Sequence, residues 1–331
     1  MRKIKEKFVP SKEQMDIWPD GVSGNDLNGL GETEVRRSTP IYWQEASLTP
    51  FGPLMQFFED HAPRDEELYK TQMEADVIRS QEIPPASPVR LEKPSGEWTE
   101  LAKKVGFDHG AVAVGITKLR PEWVIETFDV PYDTVISIGV AMDFENLKTA
   151  PEVIAAIEVI KQYGEAHLVS NAIAAWIHKQ GWNAESYGGS KNVPILLVPP
   201  ALEGGIGELG KHGSLINREH GSVLRLGALV TNMPLDLDSA DSFGVDDFCI
   251  NCRACETACL PEAISPEKQM VRGVEKWYVD FDKCLPFFNE HTGCGMCLAA
   301  CPWARPGVPS NLIKKIAKKK LKRTLKKSLS I

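Results

Sequence analysis

The sequence predicts a mixed α/β (α+β) chain in two unequal parts: a sheet with flanking helices, then a small module organised by cysteines. Three observations carry this. Apolar runs rich in β-branched residues, at 111–116 and 134–142, alternate with helix-like segments between residues 95 and 240. All eight cysteines fall between residues 249 and 301. The 331 residues, 43% hydrophobic and 25% charged, suffice for a globular core plus a second domain or appendage.

Taken in order, residues 1–94 show little periodicity and close on a proline-rich connector (Pro84, Pro85, Pro88, Pro94), so they are expected to wrap the main body as an extension. Residues 95–240 form the expected core. Residues 97–105 read as a short helix, and 111–116 and 134–142 as buried strands. Pro151 suits a first helical position ahead of a helix over 152–162. A second helix follows over 166–179, with Leu168, Ala172, Ala175, Trp176 and Ile177 near one face and Gly181 as its stop. Further strands are expected at 194–198 and 222–230. The cysteine module takes 241–310, and a basic tail takes 311–331.

The cysteines form two runs: Cys249-x2-Cys252-x2-Cys255-x3-Cys259, and Cys284-x9-Cys294-x2-Cys297-x3-Cys301-Pro302. Three thiolates at two-residue gaps can wrap one iron–sulfur cubane, while the fourth faces away and ligates the other. The spacing therefore predicts two 4Fe–4S clusters with crossed ligands. Cys249, Cys252, Cys255 and Cys301 would hold one; Cys259, Cys284, Cys294 and Cys297 the other. Two features depart from the bacterial pattern: Leu260 separates Cys259 from Pro261, and the nine-residue gap reads as an inserted loop over 286–293 after the lead-in Asp280-Phe281-Asp282-Lys283. The alternatives are zinc, which prefers paired C-x2-C knuckles, and disulfides, which suit short secreted chains.

Net charge is −7, yet residues 314–327 carry nine Lys or Arg and no acid; removing those nine charges leaves the rest near −16. Leu312, Ile313, Ile316, Leu321, Leu325 and Leu329 interleave with them as in an amphipathic basic helix, a candidate for peripheral membrane contact, although a frayed, solvated tail is the expected state. No apolar stretch approaches the roughly eighteen residues of a membrane span. The start, Met1-Arg-Lys-Ile-Lys-Glu-Lys7, has no apolar region behind it, so a cytoplasmic location is expected.

Between core and cysteines lies Glu203-Gly-Gly-Ile-Gly-Glu-Leu-Gly-Lys-His-Gly-Ser-Leu-Ile-Asn217, then Gly221-Ser-Val-Leu-Arg225. Five glycines in ten residues let a backbone approach a large ligand closely. A glycine-rich stretch followed by a Gly-x-x-Leu-Arg strand and a double cluster module resembles the cobalamin-binding region of reductive dehalogenases and of their relative, epoxyqueuosine reductase. Ala141-Met-Asp-Phe-Glu145 is similar to a Met-Asp-Tyr element on the dehalogenase side. The resemblance covers roughly residues 95–305.

That resemblance implies a nitroreductase-like core holding cobalamin, a ferredoxin-type 4Fe–4S module, and removal of halide from a small organohalide by electrons from an external ferredoxin, flavodoxin or reductase. It implies a tyrosine proton donor held by a nearby Lys or Arg; Tyr163 and Lys211 match those positions, with Tyr187 as competitor. Gly204, Gly205, Gly207, Gly210, Gly213 and Ser214, with Asn192, are the implied cofactor-binding residues. His212 and His220 are set aside as cobalt ligands, and Arg225 is expected to meet a corrin amide, a phosphate or a core carboxylate. The acidic body argues against nucleic acid and so against a tRNA-modifying enzyme. The rivals are that enzyme, a plain iron–sulfur electron carrier and a corrinoid-processing protein.

Overall fold

The computed structural model describes residues 8–189 and 191–328; Met1–Lys7, Ser190 and Leu329–Ile331 lie outside the described residues. Helices α1 (Gly52–Asp60) and α2 (Glu66–Arg79) lie in the N-terminal stretch, followed by α3 (Ser95–Asp108). Strands β1 (Ala113–Lys118) and β2 (Thr134–Ala141) precede the long helix α4 (Val153–Lys179). Then come β3 (Ala184–Ser186), the short hairpin β4 (Glu208–Leu209) and β5 (Leu215–Ile216), and β6 (Leu224–Thr231). Helix α5 (Phe281–Glu290) sits inside the cysteine module, and α6 (Val308–Ser328) ends the described chain.

The main sheet is antiparallel, ordered β1-β2-β6-β3, and this places the chain on the α+β side of the expected class. Residues 135–140 of β2 are all buried, because the sheet is covered on both faces. One face packs α3 and α4 through Trp98, Ile116, Ile136, Ile138, Ile173, Ile177 and Leu229. The other packs Val193, Ile195 and Tyr187 against Val135 and Val230. Fully burying each such aliphatic side chain stabilises by about 1.5–3 kcal/mol.

Three expectations change. The two helices predicted over 152–162 and 166–179 are one, α4, because Gly164 is a packing point: a Cβ there would meet Ile78 Cδ1 at 3.4 Å and Ala75 Cβ at 3.5 Å across α2. The strand predicted at 194–198 shrinks to an isolated bridge between Ile195 and Val124, since Pro199 and Pro200 start the helix Val198–Glu203. The inserted loop predicted at 286–293 is mostly helix α5, capped by the Asp280 carboxylate accepting from Lys283 N–H.

The N-terminal stretch clasps α5. Gln14, fully buried, donates to the Pro286 carbonyl at 3.1 Å and accepts from Asn289 at 2.7 Å; Tyr42 donates to Asn289 at 2.7 Å. Further along, Arg37 donates to the carbonyls of Val124, Ile125 and Phe128 and so ties the same stretch to the core. The tail departs from the frayed expectation: Leu312, Ile313 and Ile316 of α6 pack beside Cys249, Cys301 and Trp303. Among the described residues no helix is long and apolar enough to cross a membrane.

Gly115 on β1 backs directly onto Gly204, and a Cβ on Gly115 would stand 2.2 Å from the Gly204 carbonyl oxygen. Gly115→Ala should therefore destabilise by about 1–3 kcal/mol or more, read as a lower thermal midpoint.

Candidate functional site

The cysteines draw into two groups, Cys249, Cys252 and Cys255 beside Cys301, and Cys284, Cys294 and Cys297 beside Cys259. Burial raises the Cys249 thiol to about 12, and nearby Cys301, Cys255 and Cys252 add to the rise. Cys255 is raised to about 12 by burial, then by Cys301 and Cys252. In the other set, burial and then Cys294 and Cys259 raise Cys284 to about 12, while Cys297 is raised by burial, then by Cys294, Cys284 and Cys259. All eight thiols are free, and those of Cys249, Cys255, Cys284, Cys294, Cys297 and Cys301 are pushed upward by burial, so a bound cation would be needed to hold them together as thiolates. Donors are arrayed for thiolate: Ala263 N–H lies 3.3 Å from Cys259 Sγ, and the N–H groups of Lys211, Met296 and Trp303 serve Cys249, Cys294 and Cys301. Among the described residues no three of His, Cys, Asp and Glu converge on a single-ion position. The donor set thus fits an iron–sulfur cluster better than one zinc ion.

A cavity of about 580 Å³ opens between α2, α4 and the second cysteine run. Its walls include Trp43, Phe58, Tyr163, His167, Arg225, Phe288 and Cys294. The volume suits a small organic molecule. Phe58 stacks on Phe288 at 5.5 Å, and Trp43 meets Phe58 edge-on at 5.1 Å. Residues 292–295 all have φ between +45° and +93°, a tight left-handed wrap that brings Cys294 to the wall. Opposite, Arg225 on β6 lies over the Tyr163 ring at 4.9 Å, and its Nη1 donates to Tyr163 Oη at 3.4 Å. The buried Arg225 Nε has no hydrogen-bond partner among the described residues. His167, one turn beyond Tyr163 on α4, is lowered to about 4 by burial and then by Arg79, so the ring stays neutral.

The structure brings Tyr163, but not Lys211, to this cavity. The β4–β5 hairpin carries Lys211 under the first cysteine run, where its ammonium pairs with Glu256 at 2.6 Å and lies 4.8 Å from the Trp277 ring centroid. Gly204, Gly205, Gly207, Gly210, Gly213 and Ser214 do not line the cavity either. Their closeness serves the protein's own packing: a Cβ on Gly205 would meet the Ser239 carbonyl oxygen at 2.6 Å, and one on Gly207 the Ile216 oxygen at 2.3 Å. Asn192 is exposed at φ +56°, its N–H donating to the Trp43 carbonyl, next to cavity-lining Lys191. Tyr187 bonds Glu185 at 3.0 Å, away from the cavity. His212 is buried and lowered to about 4 by that burial; its Nδ1 accepts from Ser214 N–H. His220 is half-buried at a turn closed by Asn217.

Sequence reasoning missed Arg225 as the partner of Tyr163, because that pairing arises from β6 packing on α4. It also missed the N-terminal wall. His167 was within reach, since a residue four positions after Tyr163 shares its helix face.

Residues 248–304 match the 4Fe-4S dicluster domain family. Over 207 residues the chain is 30% identical to a tetrachloroethene reductive dehalogenase of Desulfitobacterium hafniense and 31% identical to one of Dehalobacter restrictus. Each alignment covers 59% of this chain and 37% of the relative, so the matched region is well under half of those proteins. An epoxyqueuosine reductase of Salmonella typhimurium is 32% identical over 153 residues, 39% of this chain and 36% of that one. A catabolic reductive dehalogenase solved with 3-bromo-4-hydroxybenzoic acid superposes with a TM-score of 0.66 at 23% identity, over 75% of this chain and 38% of its own. The chain is thus similar in sequence to reductive dehalogenases and shares their fold.

Because His167 is held below its ordinary 6.5, the folded state resists the proton that the unfolded state takes up. Its contribution is present above pH 6.5 and is lost as pH falls toward about 4. In anaerobic urea unfolding, His167→Gln should therefore gain on the wild type across that window; a constant difference contradicts the assignment.

Proposed function

We propose that this chain is a reductive-dehalogenase-type oxidoreductase that removes halide from a small organohalide held in the cavity, using cobalamin bound against it and two 4Fe–4S clusters. One observation carries the reading: a cluster ligand, Cys294, and the Tyr163–Arg225 pair lie on the same cavity. Electron delivery and proton delivery therefore meet in one place. The net reaction, R–X plus two electrons and one proton giving R–H and X⁻, needs both.

Bound cobalamin would supply a low-potential cobalt centre that accepts electrons singly and acts at the carbon–halogen bond. Arg225 Nε, without a partner among the described residues, and wall residues Gln72 and Thr292 are the polar groups offered to it. Tyr163 Oη gives the proton to carbon; Arg225 holds that hydroxyl and offsets the charge left on its oxygen. Trp43, Phe58 and Phe288 keep water from the reacting carbon. The Cys249 set, none of whose thiols lines the cavity, is where an external low-potential donor would deliver electrons. The reading places the protein in the cytoplasm, with the lysine-rich sequence of the tail offered to an anionic partner or membrane surface.

The epoxyqueuosine reductase similarity and the lysines of α6 support a second reading, a tRNA-modifying enzyme. The two separate in one assay. Protein reconstituted anaerobically with iron, sulfide and cobalamin should release halide from a panel of bromophenols and chloroethenes. Tyr163→Phe should slow release by about 100-fold or more, the scale of a lost proton donor, and Arg225→Gln by a similar factor, both with iron content unchanged. No halide from any substrate, together with reduction of epoxyqueuosine in tRNA, selects the second reading. Iron without cobalt uptake selects a plain electron carrier.

A further inference from the structure

Lys211 is among the largest fully buried side chains in the protein. Burying an ammonium is costly unless it is paired, and the pairing here is local to one cluster. Glu256, the residue after Cys255, accepts from Lys211 Nζ at 2.6 Å, with the two side chains 2% and 8% exposed. The Lys211 N–H also donates to Cys249 Sγ. Trp277, under the ammonium, is buried in the same apolar cluster as Cys249 and Cys301. Arg253 reaches the other Glu256 oxygen at 3.0 Å but is 78% exposed, so solvent screens it. Two opposite, poorly screened charges therefore stand against the ligands of the cluster farther from the cavity, and none of the proton chemistry proposed above uses them.

We infer that Lys211 and Glu256 are an opposed pair of fixed charges that sets the reduction potential of the cluster held by Cys249, Cys252, Cys255 and Cys301. The inference rests on the two-cluster reading. An arriving electron adds one negative charge to the cluster; Lys211 favours that charge and Glu256 opposes it, both acting in a low-dielectric interior. The pair thus helps decide whether the entry cluster passes its electron onward to the Cys294 side.

The test is an anaerobic redox titration of the reconstituted full chain, followed by electron paramagnetic resonance. Lys211→Gln should move the first cluster to lower potential and Glu256→Gln to higher, each by roughly tenfold in the reduction equilibrium, about 59 mV for one electron. Lys211→Arg, which keeps the charge, should stay near the wild type. The cluster of Cys259, Cys284, Cys294 and Cys297 should hold its potential in all three variants. Opposite signs are the signature, because simple loosening of the site would push both Gln variants the same way. Same-sign shifts, equal shifts in both clusters, no shift, or loss of iron from both Gln variants would overturn the inference. Wild-type protein holding fewer than about eight irons would instead sink the two-cluster reading on which it stands.

Discussion

The structure depends on the crossing of two cysteine runs. Cys301, from the end of the second run, joins Cys249, Cys252 and Cys255, while Cys259, from the end of the first, joins Cys284, Cys294 and Cys297. In the proposed two-cluster reading, neither set closes without both runs. Burial, then neighbouring thiols, raises Cys249 and Cys284, so clusters bound as proposed would couple to the folding of this region. The packing around the module follows from that constraint. Helix α5, which carries Cys284, is gripped by Gln14, Tyr42 and the aromatic residues of the N-terminal stretch. On the other side, the root of α6 closes over Cys249 and Cys301.

The crossing also places the site. Because the second run is anchored at both ends, the left-handed turn at 292–295 can carry Cys294 to the cavity wall. Helix α4 supplies Tyr163 and His167 from one face, and β6 brings Arg225 across to the tyrosine ring. The N-terminal stretch supplies Trp43 and Phe58. In the proposed reading, sheet, cluster module and extension each contribute a different chemical element: proton, electron and enclosure.

Much of this was legible in the sequence, for identifiable reasons. Thiol spacing constrains which cysteines can share a cluster, so the grouping of Cys301 with the first run and Cys259 with the second was expected before any fold was known. Residues 111–116 and 134–142 read as strands because their β-branched runs suit a sheet covered on both faces. Tyr163 could be singled out, yet its partner could not, because Lys211 and Arg225 differ only in which neighbour tertiary packing gives them. The glycines from Gly204 to Gly213 looked like a ligand cradle, since sequence does not distinguish a backbone approaching a ligand from one approaching Ser239 or Ile216. The cavity's aromatic wall was hidden for a similar reason: Trp43 and Phe58 precede their partner Phe288 by more than two hundred residues.

The central claim is that a corrinoid lodges beside Tyr163 and Cys294. Its most direct test is cobalt retention after anaerobic gel filtration, comparing the wild type with Val159→Trp, a substitution that fills the cavity from α4. The account predicts about one cobalt per eight irons in the wild type and loss of cobalt, with iron kept, in the variant. Cobalt absent from the wild type, or retained equally by the filled cavity, would contradict it.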